Sequence, residues 1–210
     1  MDSKNKEATP NASAHAMNYL AHMLCSNGTP ASMLGNFIAD FVKGDVEGRF
    51  PCEVAEGIRQ HRRVDCFTDA HEVFGASRRL VSRVRRRYAG VIIDVLYDHF
   101  LAISWERYCS TTLDEFVGRV YENLGGHRVE VLHPVPMVIE KMVREDWLRS
   151  YLTLDGIDRT FRRISRRVQR ENPLGTAIEE LERNYDTLRD HFHSFFPQLL
   201  AHFRGQPGSM

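Results

Sequence analysis

The chain has 210 residues, of which 42% are hydrophobic and 27% charged, and its 28 basic residues balance 28 acidic ones. That length is one domain's worth with room for a sizeable core, and the composition excludes a chain disordered throughout. A net charge of zero gives no overall field to gather nucleic acid or an anionic surface, although the basic residues are strongly skewed: Lys occurs only at positions 4, 6, 43 and 141, and the rest are Arg. No apolar run approaches the roughly 18 to 20 residues of a membrane span. The four cysteines (Cys25, Cys52, Cys66, Cys109) stand far apart without a C-x-x-C pair, as in a reduced cytoplasmic protein. Residues 1–16 are polar and read as a leader or added extension, and 205–210 as a flexible tail. A single domain is expected over 17–204.

Within that span the period is helical. Thr29 followed by Pro30 is an N-cap with proline at the first helical position, and Gly44 marks the expected stop. Val54, Ile58, His61, Asp65 and Thr68 step by 4, 3, 4, 3 along one helix face. Residues 91–108 are apolar nearly all round, as in a buried helix. Thr112 with Asp114 and Glu115 opens another helix. Pro134 and Pro136 interrupt, and a helix over 137–152 is expected to end at Asp155-Gly156. Two further stripes follow, Ile157 to Val168 and Ile178 to Phe195. Strand-like alternation is brief, at 128–131. The fold class predicted is all-α, a single-domain bundle of about seven or eight helices.

Four of these segments carry polar residues where a core should be: Asn18 and His22, Asn36 and Asp40, His61 and Asp65 (extended by Asp69), and Asp94 and Asp98. Residues four apart project from one helix face, so each pair aims two ligand-type groups together. Each pair also has a structural reading: a buried Asp caps a neighbouring helix, and a buried His donates to a carbonyl. Asp94 and Asp98 are the hardest to read that way, because residues 91–104 contain no Lys or Arg to pair them. A bound cation would remove the cost of burying them. Carboxylates with imidazole and no thiolate suit Mn²⁺, Fe²⁺ or Mg²⁺.

The strings MNYLAHMLCS, LGNFIADFVKG, GIRQHRRVDCFTD and LYDHFL resemble the bacterial acyl carrier protein phosphodiesterases, an atypical branch of the HD-type metal-dependent phosphohydrolases. The resemblance implies an HD-domain-like fold and Mn²⁺-dependent hydrolysis of the diester joining 4′-phosphopantetheine to a serine of holo acyl carrier protein. The motif positions carried over are His22, Asp40, His61, Asp65, Asp69, Asp94, Asp98 and His99. The chain departs from the usual HD signature, since His61 and Asp65 are four apart and the adjacent pair Asp98-His99 is reversed.

On this basis Asp40, His61, Asp65 and Asp98 are the leading ligand candidates, with His22 and Asp94 next. His99 is the candidate general acid, with His22 its substitute if unligated. Asp69 stands with the catalytic candidates, and Arg62 is placed to contact phosphate oxygens. Arg83, Arg86 and Arg87, within the cluster Arg78 to Arg87, are expected to dock an acidic carrier, with the stripe Arg159, Arg163, Arg166 and Arg170 as the alternative. Two rival functions fit parts of the pattern. One is an HD-type nucleotide phosphohydrolase; the other is a non-enzymatic Arg-rich module that binds nucleic acid, which would have no use for carboxylate pairs inside helices.

Overall fold

The structure, a computed structural model, describes residues 19–126 and 134–204; the strand-like stretch at 128–131, the leader, Asn18 and the tail lie outside the described residues. Among the described residues there are ten α-helices and no strand. Two short helices account for the excess over the expected seven or eight. One is α1 (Tyr19–Leu24); the other is α8 (Trp147–Ser150), cut from α7 (Val135–Arg144) where Asp146 takes a left-handed conformation at φ 46°. No described helix is long and apolar enough to cross a membrane.

Local sequence explains most of the ends. Thr29 accepts from Ser32 N at 3.2 Å and Pro30 opens α2 (Pro30–Ile38). That helix does not run to Gly44: it tightens into a 3-10 turn over Ala39–Phe41, which carries Asp40, before Gly44 turns the chain at φ +76°. α6 (Leu113–Gly126) begins with a reciprocal cap, in which Thr112 Oγ1 accepts from Glu115 N while Glu115 accepts from Thr112 N. Asp155-Gly156 does not end a helix. Thr153 caps Gly156 N at 3.1 Å and starts α9 (Leu154–Arg167) two residues ahead of it.

α5 (Ala89–Ile103) is the central rod, buried on nearly every side. Around it pack α1, α4 (Glu72–Leu80), α9 and the long α10 (Ile178–Arg204). α2 lies against α3 (Cys52–Ala70) so closely that a Cβ on Gly35 would collide with the Val54 carbonyl, and it would sit 2.8 Å from Gly57 Cα. Two glycines facing each other thus let the backbones meet. This pairing sets the Asp40 turn beside His61 and Asp65.

Arg85, expected on the surface with its neighbours, is instead buried. Its guanidinium donates to Glu180, Glu179, Thr176 Oγ1 and the Pro173 carbonyl, and Glu180 also accepts from Ser82. This network fastens the segment before α5 to the start of α10.

Candidate functional site

α1 and α3 bring two imidazoles face to face: His22 and His61 stack with centroids 3.8 Å apart and planes 12° from parallel. Asp65, four residues after His61, reaches both rings, with Oδ1 3.1 Å from His22 Nε2 and Oδ2 3.3 Å from His61 Nε2. Asp40 Oδ1 joins from the 3-10 turn, 3.4 Å from His61 Nε2. Ligand atoms of His22, His61 and Asp65 all lie within 4.8 Å of one another. Both histidines are buried, whereas Asp65 is half exposed, so the cluster opens to solvent on one side.

The charges are coupled. Burial depresses the pKa of His22, and a protonated His61 would depress it further. Burial also opposes charge on His61, but hydrogen bonds to Asp40 and Asp65 override it and push its pKa up to about 10. Burial alone would raise Asp65, yet the two imidazoles hold it well below the usual carboxylate range.

Several buried polar atoms here have no hydrogen-bond partner among the described residues: His22 Nδ1, His61 Nδ1, Asp40 Oδ2 and Asn36 Oδ1. Orphaned acceptors are rare in protein interiors. Imidazole nitrogens and carboxylate oxygens converging with lone pairs unclaimed fit a divalent cation of the Mn²⁺, Fe²⁺ or Mg²⁺ type.

The remaining candidates fall elsewhere. Asp98 accepts from Leu20 N and Ala21 N, both at 2.9 Å, and from the Tyr151 side chain. Both oxygens are engaged at the start of α1, so Asp98 positions the helix that bears His22. Burial nevertheless pushes its carboxyl up to about 8. Asp94 has no hydrogen-bond partner among the described residues. Burial, followed by the nearby Asp65, Asp69, Asp98 and Asp40, raises its pKa well above the ordinary value. His99 turns away: its Nδ1 lies 2.8 Å from the Tyr151 carbonyl and its ring packs on Phe100 and Tyr185. The structure therefore does not bring His99 to the cluster, and its second nitrogen is buried without a partner. The structural reading of Asp98 as a cap and of His99 as a donor to a carbonyl is the one observed.

Arg62 is occupied. Its fork donates to the Val42 and Gly44 carbonyls at 2.9 and 2.8 Å, bracing the loop that follows Asp40. Asp69 is exposed and pairs with Arg78 at 3.3 Å, on the rim. Arg83, Arg86 and Arg87 are exposed, Arg86 bonding the Val81 and Arg79 carbonyls, and Val84 among them is 77% exposed.

The family model described as acyl carrier protein phosphodiesterase matches residues 17–199. The chain belongs to that family. Its members are enzymes, and curated relatives bearing the same description cover it almost throughout. One from Photorhabdus laumondii is 32% identical over 185 residues, covering 88% of this chain and 93% of its own. One from Serratia proteamaculans is 34% identical, covering 88% and 96%. One from Klebsiella pneumoniae is 32% identical over 189 residues, again covering 88% and 96%. No solved structure matches the chain.

Two features escaped the sequence reading. The capping role of Asp98 joins residues 77 and 78 apart in the chain, which no spacing rule reveals. Arg163, expected on the alternative docking stripe, lies instead with its guanidinium 3.8 Å from the centroid of the Trp147 ring. The correction follows from geometry, since Trp147 on α8 folds back against α9 and covers that face.

Proposed function

We propose that this phosphodiesterase hydrolyses the ester joining 4′-phosphopantetheine to the serine of holo acyl carrier protein, with a divalent metal held by His22, His61, Asp65 and Asp40. The observation that carries the reading is the convergence of those four side chains, with buried lone pairs unclaimed, in a chain of this family. Bound there, Mn²⁺ would supply a Lewis acid and make a water acidic enough to react near neutral pH.

The chain's own residues do the rest. His61 gives up its proton to present a nitrogen lone pair, and Asp65 spans the two imidazoles. Asp98 fixes α1, and with it the direction of His22. Arg62 holds the loop after Asp40 in place. Asp94, whose pKa is raised by burial and then by the nearby acids Asp65, Asp69, Asp98 and Asp40, takes the acid role expected of His99, donating from its carboxyl to the leaving serine oxygen. The acidic carrier docks on Arg83, Arg86 and Arg87, with exposed Val84 as the apolar centre of the patch. All four cysteines are free, which accords with a cytoplasmic setting.

The test is direct. Purified protein incubated with holo carrier and Mn²⁺ should convert the carrier to its apo mass, and a chelator should stop it. Asp65→Ala should abolish turnover with helical circular dichroism retained. Asp94→Asn should slow turnover with Mn²⁺ content unchanged. Conversion that survives exhaustive chelation would overturn the metal assignment.

A further inference from the structure

Where the chain leaves α5, Arg107 and Tyr108 face the last turns of α10 across an open groove of about 440 Å³, whose other wall is Pro197, Leu200 and Ala201. That volume lies within the range of small-ligand sites, about 300–1,000 Å³. His193, Pro197, Leu200 and Ala201 follow the helical period, so one face of α10 runs along the groove. Pro197 is costly where it stands. Inside a helix it has no N–H for the His193 carbonyl, and being exposed it contributes nothing to the core in exchange.

The charge of the groove is one-sided. Arg107 is exposed and pairs with no carboxylate among the described residues, its chain neighbour Glu106 included. Its Nη1 lies 3.2 and 3.3 Å from the two ring nitrogens of His193, which leaves Nε and Nη2 without a protein partner. Arg189, the other cation near His193, is by contrast held by Asp186 at 3.0 Å and Asp190 at 3.6 Å. Burial holds the His193 pKa down, and Arg107 and then Arg189 lower it further against the pull of Asp190. The groove therefore joins an apolar wall to one uncompensated guanidinium. A planar fork of this kind matches the two oxygens of a carboxylate, and a row of methylenes would cover Pro197, Leu200 and Ala201.

We infer that this groove binds a free fatty acid, with its carboxylate on Arg107 and its chain along Pro197, Leu200 and Ala201. None of these residues belongs to the His/Asp cluster, so the inference stands apart from the phosphodiesterase reading.

The test is calorimetric titration of the full-length protein with octanoate, well below its micelle concentration and at constant ionic strength. Binding should be saturable, with one octanoate per chain. Removing either half of the ligand should weaken it: 1-octanol should bind about tenfold less tightly or worse, and acetate should give no measurable heat. Arg107→Gln, at an exposed position, should weaken octanoate by about tenfold or more and leave 1-octanol unchanged. Ala201→Glu, also exposed, sets a like charge in the groove and should weaken octanoate as strongly, with helical circular dichroism retained in both variants. Equal octanoate affinity in parent and Arg107→Gln would overturn the inference, as would 1-octanol binding as tightly as octanoate. Loss of binding in Arg107→Gln but not in Ala201→Glu would put the chain outside the groove and overturn it too. So would Arg107-dependent sedimentation with phosphatidylglycerol vesicles in a protein that octanoate does not saturate, since the groove would then serve a lipid surface.

Discussion

Asp98 and His61 show how single residues set the state of the whole cluster. Asp98 accepts both amides at the start of α1, so the direction of His22 depends on a carboxylate 76 positions further along the chain. Asp98→Asn keeps the shape but offers one acceptor oxygen, leaving a buried N–H unpaired at a cost of about 1–3 kcal/mol. Urea unfolding should register that loss, and Mn²⁺ affinity should fall about tenfold or more, as when the support behind a metal ligand is removed. Unchanged affinity would show that α1 is held by other means. His61 makes a second prediction. With its pKa raised from 6.5 to about 10, its pairing with Asp40 and Asp65 stabilises the metal-free fold fully below pH 6.5, and that stability is lost as pH rises through about 10. A metal held by His61, as proposed, would have to displace the same proton, so affinity for Mn²⁺ should rise with pH. Calorimetric titration at pH 7.5 in two buffers of different ionisation heat should show about one proton released per ion. Identical heats in both buffers would place the proton elsewhere.

At the scale of elements, the contact between α2 and α3 decides whether the cluster assembles. Gly57→Ala must push against the Ser32 carbonyl and Gly35 Cα, so the helices have to separate. Overpacking of this kind costs about 1–3 kcal/mol, and it would also carry Asp40 away from His61. The variant should therefore lose thermal stability and metal affinity together, whereas a shortened apolar side chain remote from the cluster should lose stability alone. A Gly57→Ala protein with normal Mn²⁺ binding would sever that link. The helices that carry the cluster were legible because their signals are local: Thr29-Pro30 for α2, the stripe from Val54 to Thr68 for α3, and unbroken apolar sequence for α5. His22, Asp40, His61 and Asp65 stood out as ligand candidates for the same reason, each at a polar position on an apolar face, but so did Asp94 and Asp98. What the sequence concealed depends on contacts far apart in the chain or on one unusual backbone angle. Asp98 reaching α1, Arg85 clamped to Glu180, Arg163 covered by Trp147 and the left-handed Asp146 are all of this kind. Asp94 and Asp98 read alike in sequence, since neither has a basic neighbour. Only the approach of α1 separates them, giving Asp98 backbone donors that Asp94 lacks.

For the molecule as a whole, burying Arg85 under α10 leaves Arg83, Arg86 and Arg87 outside, around the exposed Val84. Arg78 is set apart by its pairing with Asp69. Charges at the rim of an interface act mainly on association and are screened over about 8 Å at physiological salt. The kcat/KM for holo carrier should fall as salt rises. Replacing Arg83, Arg86 and Arg87 by Ser should raise KM, remove most of that dependence and leave hydrolysis of a small diester unchanged. Coincident salt curves for the two proteins would move the docking surface elsewhere. The placement of the thiols has a consequence of another kind. Cys52 and Cys66 are exposed on α3, while Cys25 is buried and Cys109 half-buried. The exposed two are 14 residues apart, about 21 Å along the axis. Cys66 adjoins Asp65, so the native chain carries a near and a far attachment point for nitroxide labels. Mn²⁺ is paramagnetic, and dipolar relaxation falls steeply with distance. A label at Cys66 should broaden strongly as the ion arrives while one at Cys52 changes little, turning α3 into a magnetic ruler for the position of the metal.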